Sequence, residues 1–120
     1  MVVDYSKFDI KEILAEDFSL KIICLVKFLR DNYNEKIISN QILRSATSIG
    51  AHISEAKYGE SKADFTHKLV GAQKEANETL YWLRLLYRGK YLDEEKFDTL
   101  YLDCLKIMKI LSNITTKLKK

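Results

Sequence analysis

Proline is absent from all 120 residues, and only four glycines interrupt the chain. Proline inside a helix removes a backbone hydrogen bond and clashes with the preceding turn, and an interior glycine costs about 1 kcal/mol relative to alanine. A chain nearly free of both runs in long uninterrupted helices, whereas a β-protein of this size needs many more turn residues. With 47% hydrophobic and 31% charged residues, the chain is too apolar for disorder and long enough for one domain with a real core, spanning 1–120.

The apolar periodicity divides this domain into four helices. The first is predicted over roughly 17–33, capped by Asp17, with a stripe of Phe18, Ile22, Leu25, Leu29 and the more marginal Tyr33. The second, over 36–57, carries Ile38, Ile42, Ala46, Ile49, Ile53 and Ala56, and Gly50 inside it implies a close helix contact. Gly59 marks its end. Ser61 and Asp64 resemble a capping box for a third helix over 62–88, whose seam is Phe65, Leu69, Ala72, Ala76, Leu80 (or Thr79), Leu83 and Leu86. Gly89 stops it. Asp93 caps the fourth, over 94–118, with Phe97, Leu100, Cys104, Ile107, Leu111, Ile114 and Leu118 facing inward. Short connections make successive helices antiparallel neighbours, so the fold class is all-α: an up-down-up-down four-helix bundle.

Cys24 and Cys104 stand far apart in apolar patterns and outside any CxxC pair, which reads as two buried free thiols in a reducing compartment. The opening "MVVDYSKFDIKE" has no basic segment followed by an apolar run, and no stretch approaches the 18 uncharged residues of a membrane span. The expectation is a cytoplasmic protein without membrane association. A net charge of +3 permits contact with nucleic acid without requiring it, and the tail "KLKK" reads most simply as a solvated end.

The second and third helices carry more patterned polar side chains than a solvated face needs. One stripe holds Gln41, Arg44, Ser48 and Glu55, with His52 between; the other holds Lys68, Gly71, Glu75, Glu78 and Trp82. Arg44 lies 16 positions before residue 60, and Glu75 and Glu78 lie 15 and 18 after it, so an antiparallel hairpin sets Arg44 level with both. Glu55 and Lys68 fall roughly level in the same way, offset by about two turn positions. Exposed pairs of this kind contribute roughly 0–1 kcal/mol each, a weak reason to keep so many. Arginine beside tryptophan fits an interface between identical chains better than a solvated surface. Tyr81, Tyr87 and Tyr91 add large amphipathic surface nearby.

Catalytic and metal chemistry find little support. His52-x-x-Glu55 and Asp64-x-x-His67 each place two ligand-type groups one helical turn apart, yet the chain contains no Glu-x-x-His of the di-iron bundles. Arg44 and His52 are separated by seven residues, too far for a compact helical ribonuclease pair, and no phosphate loop or nucleophile elbow occurs. The expectation is a non-enzyme without metal or cofactor.

The run "SNQILRSATSIGAHISEAKYGESKADFTHKLVGAQKEANETLYWLRLLYRGKYL" resembles the four-helix-bundle proteins encoded in intervening sequences of 23S ribosomal RNA genes. The resemblance rests on Gln41–Ser45, Ser48–Ile49, Ser61 with Asp64–Phe65, Lys74–Ala76 and Glu78–Leu83. His52 stands where the family usually has asparagine, and Ser54 where alanine is common. The resemblance implies a homopentamer, whose heterologous ring contacts call for patterned faces beyond the core. A related branch, the accessory proteins of diversity-generating retroelements, binds a reverse transcriptase and nucleic acid. The implied role is therefore a scaffold or accessory protein associating with structured RNA, DNA or a nucleic-acid enzyme such as a reverse transcriptase. A pure protein-interaction module is the alternative. Candidate electrostatic contacts are Lys57, Lys62, Lys68, Lys74, Arg84, Arg88, Lys90 and the terminal Lys117, Lys119 and Lys120.

Overall fold

The structure, a computed structural model, describes residues 2–118; Lys119 and Lys120 of the candidate basic set lie outside them. A short 3-10 turn, Tyr5–Lys7, leads into α1 (Ile10–Tyr33), α2 (Ile37–Ala56), α3 (Lys62–Arg88) and α4 (Glu94–Leu118). Each helix packs on the next, and α1 closes the bundle against α4 along its thinnest seam. This is the antiparallel up-down-up-down arrangement. None of the described helices is long and apolar enough to cross a membrane.

The helix ends follow local chemistry. α1 begins seven residues before the predicted start, because Asp9 and not Asp17 is its cap. The Glu12 amide donates to the Asp9 carboxylate at 3.2 Å, and Glu12 returns an acceptor to the Asp9 amide at 3.1 Å. That reciprocal box satisfies two of the free amides at a helix start. Asp17 lies exposed within the helix. At the other end Asn34 adopts φ 52, the left-handed conformation asparagine tolerates, and turns the chain out of α1. Ser61 caps α3 through the Asp64 amide at 3.1 Å, and Asp93 caps α4 through the Lys96 amide at 2.8 Å. Gly89 ends α3 with a negative φ, and Lys90 takes the left-handed position at φ 69. Gly89 is required for space instead: an added Cβ stands 2.9 Å from the Leu85 carbonyl oxygen.

The core is built from Phe18, Ile22 and Leu29 of α1, Ile42, Ile49 and Ile53 of α2, Leu69, Leu83 and Leu86 of α3, and Ile107 and Leu111 of α4. Phe65, Phe97 and Ile114 are only half-buried and pack on the margin of this cluster. Tyr33 is exposed, its ring set edge-on to Tyr91. A buried hydrogen bond of 2.8 Å between the Ser45 and Thr79 hydroxyls joins α2 to α3 inside the core. The two cysteines differ. Cys104 is buried, which pushes its thiol up to about 12, while Cys24 lies exposed beside the α1–α4 groove. The expected burial of Cys24 is corrected: it sits off the stripe that Phe18, Ile22, Leu25 and Leu29 turn inward.

Gly50 meets α1 at Ala15, where two small residues let the helices approach. An added Cβ stands 3.6 Å from the Ala15 Cβ, ordinary van der Waals contact. Gly50→Ala is therefore expected to stabilise the protein by about 0.5–1 kcal/mol, through helix propensity alone. A thermal melt checks this; a lowered midpoint means that the crossing needs the bare backbone.

Candidate oligomer and nucleic-acid interfaces

The hairpin of α2 and α3 brings the two polar stripes together within one chain. Arg44 Nη1 donates to Glu75 Oε2 at 3.2 Å, and Arg44 Nη2 donates to Glu78 Oε2. The same Glu78 oxygen accepts from the Trp82 indole N–H at 3.0 Å. Half-exposed Arg44 thus locks two carboxylates and, through one of them, the tryptophan on α3. Nearer the turn, Lys68 donates to Glu55 at 2.9 Å and holds that carboxyl below its usual range. Ser48 turns inward along its own helix, its hydroxyl donating to the Arg44 carbonyl at 2.7 Å. Gln41 is exposed one turn before Arg44. Trp82 is half-buried, with Tyr81 set edge-on at 5.0 Å.

His52 does not join this ladder. Its ring lies over Gly71, within 3.4–3.5 Å of where a Cβ would stand, and its buried Nδ1 has no hydrogen-bond partner. Glycine at 71 makes room for the imidazole on the facing helix. Among the described residues, no group of three or more histidine, cysteine, aspartate or glutamate side chains is placed to hold a metal ion.

The candidate basic residues do not form one cluster. Lys57 is held by Glu12 at 2.9 Å, which raises it above the ordinary lysine value, and it also lies over the Phe8 ring at 5.1 Å. Lys62 and Lys117 share that end of the bundle. Arg84, Arg88 and Lys90 stand at the other, about 40 Å away along α3. Lys74 lies exposed between them. Arg84 donates to the Tyr101 hydroxyl at 2.8 Å and lies 5.9 Å from the Tyr81 ring centroid.

Sorting by face separates the charges further. Asp64, Glu75 and Glu78, the only carboxylates of α3, recur with helical spacing on the side turned to α2. The charged side chains that α3 turns toward α4 are Lys62, Lys74 and Arg84. From Cys104 to the C-terminus the sequence contains five lysines and no carboxylate. Lys106 and Lys109, both exposed, belong to this tract and were not among the basic residues singled out from sequence. Reading α4 for its apolar seam hid them; reading its opposite face reveals them.

A compact antiparallel bundle with an internally paired polar ladder and lysines left unpaired along the α3–α4 groove defines a small helical-bundle protein. The chain belongs to the 23S rRNA-intervening sequence proteins, whose family model matches residues 13–113. A solved structure from Bacteroides thetaiotaomicron VPI-5482, described as a protein of unknown function from the S23 ribosomal protein family, is 44% identical. It superposes with a TM-score of 0.87 over 88% of this chain and 98% of its own. No curated protein matches the chain significantly.

Proposed function

We propose that this chain is a non-enzymatic, self-associating accessory protein, a homopentamer in solution, that binds structured RNA or an enzyme acting on nucleic acid. The carrying observation is the segregation of charge. Carboxylates pair with cations on the α2–α3 side, while among the described residues Lys62, Lys74 and Lys109 along the α3–α4 groove form no ion pair. Assembly multiplies this surface. Five copies carry about +15, and weak attraction for phosphate in one chain becomes avidity in a ring. The locked Arg44–Glu78–Trp82 ladder, flanked by exposed Gln41, supplies a rigid face for a neighbouring chain.

Light scattering with the 260/280 nm absorbance ratio on the same peak tests the reading. The expected result is about five times 14.0 kDa, with co-purifying nucleic acid released by salt. Arg44→Ala is expected to shift the peak toward smaller species. A monomer with a pure protein spectrum removes both the ring and the nucleic-acid role. The second reading, a protein-interaction module, draws on Leu102 and Leu105, 64% and 40% exposed on α4. Salt-insensitive capture of one protein partner favours it.

A further inference from the structure

We infer that the outer groove between α3 and α4 is the track for a single-stranded RNA segment, with its phosphates on Lys62, Lys74 and Lys109 and a base against Tyr81. The inference rests on the nucleic-acid reading above and assigns it a site. Two shallow depressions of about 500 and 400 Å³ lie end to end along this seam and share Val70. Lys62, Thr66 and His67 of α3 line the first with Leu118 of α4. Gln73, Lys74 and Asn77 line the second, facing Ser112, Thr115 and Thr116. No carboxylate lines either.

Lys109 stands three and seven residues before Ser112 and Thr116, on the same exposed face of α4, one turn from the second depression. Farther along the seam the groove becomes aromatic. Tyr81 is 45% exposed, and Arg84 bridges it to Tyr101 across the helices. Cations followed by an aromatic platform with an adjacent arginine are the two parts of a single-strand site, electrostatic attraction and base stacking. The span from Lys62 to Arg84 is about 33 Å along α3, room for several nucleotides.

The shape favours one strand over two. A groove between neighbouring helices admits a single backbone, whereas a duplex would rest on the ridges and leave the floor uncontacted. Over the second depression that floor is polar and neutral. Exposed Asn77, Ser112 and Thr116 present amide and hydroxyl groups of the kind that hydrogen-bond a ribose 2′-hydroxyl. Thr115 is already engaged, donating to Gln73 at 3.1 Å, and fixes the Gln73 amide at the bottom of the groove.

The test uses the full-length protein and a fluorescein-labelled 20-nucleotide single-stranded RNA, followed by anisotropy at several salt concentrations. Lys74→Glu/Lys109→Glu reverses two groove charges. Lys7→Glu/Lys27→Glu makes the same change in net charge at exposed positions outside the groove. The groove variant is expected to bind at least tenfold more weakly than the control variant. Its salt slope is expected to fall by about 1.4 for two lost phosphate contacts on a single strand. Tyr81→Ala is expected to weaken binding several-fold with the salt slope unchanged. Matching thermal melts exclude unfolding as the cause. Equal affinities of the two charge variants overturn the groove while leaving nucleic-acid binding intact. Absence of wild-type binding to any RNA or DNA at low salt overturns the underlying reading as well. Tighter binding of an RNA duplex, or equal binding of the same-sequence DNA strand, overturns the assignment to single-stranded RNA.

Discussion

Phe18→Ala is expected to destabilise the bundle by about 3–5 kcal/mol, as measured for large aromatic truncations in closed cores. Phe18 is 2% exposed, the bulkiest of the fully buried side chains, and it lies on α1, which meets α4 along the thinnest seam. Neighbouring core side chains cannot collapse into the space without breaking their own contacts, so both the transfer loss and the cavity remain. A domain of this size has only about 5–15 kcal/mol of total stability, so the variant keeps a small margin or none. Urea melts followed by helical circular dichroism measure the loss. Ile10→Ala, at a side chain 61% exposed, serves as the reference and is expected within about 0.5 kcal/mol of wild type. Both melts are run at one protein concentration, so that mass action weighs equally on the two. A Phe18→Ala loss below 1 kcal/mol would remove that ring from the core.

The features of the fold legible in sequence are those set within one or two helical turns. Ser61, Asp93 and Gly89 mark helix ends because capping and close backbone approach depend on residues three or four apart. The start of α1 was legible as well. Asp9 and Glu12 have capping-box spacing and Ile10, Ile13 and Leu14 follow, but Glu16 and Asp17 ahead of the apolar run read as a later start. There Ala15 is buried against Gly50, a contact between small residues that a hydrophobic stripe does not register. Cys24 shows the converse: an apolar neighbourhood in sequence does not say which way a helix turns one residue.

The site divides along the same line. Arg44 with Glu75 and Glu78, and Glu55 with Lys68, follow from counting outward from the hairpin turn, because an antiparallel pair sets height by sequence distance. The Trp82 bond to Glu78 needs only i, i+4 spacing. The basic residues are different, since their value depends on what stands opposite. Lys57 looks free in sequence and is held by Glu12, 45 positions earlier. Lys109 joins the groove only once α4 has a known outer face and α3 lies beside it. Local pairing is written in one helix or one hairpin; a groove is written in two helices at once.

Glu35 governs a second large effect, at the start of α2. Lys36 occupies the cap position and has no acceptor to offer, so the preceding glutamate does the work. Its carboxylate accepts from the amides of Ile37 and Ile38, each at 3.0 Å, and of Ser39 at 2.8 Å, and from the Ser39 hydroxyl at 3.0 Å. Burial pushes the carboxyl upward, but the bonds from Ile38, Ser39 and Ile37 together outweigh it and hold the group below its ordinary value of 4.5. A carboxyl depressed by folding stabilises the native state fully above its unfolded value, and that contribution fades as pH falls through the folded one. Glu35→Gln keeps the shape and one acceptor but loses the charge at the helix start, and is expected to cost about 1–2 kcal/mol at pH 7. The gap in urea midpoint between wild type and variant is expected to narrow as pH drops below 4.5, as the wild-type carboxyl takes up its proton. A gap unchanged between pH 7 and pH 3 would mean that the shape of the cap, and not its charge, anchors the helix that presents Gln41 and Arg44.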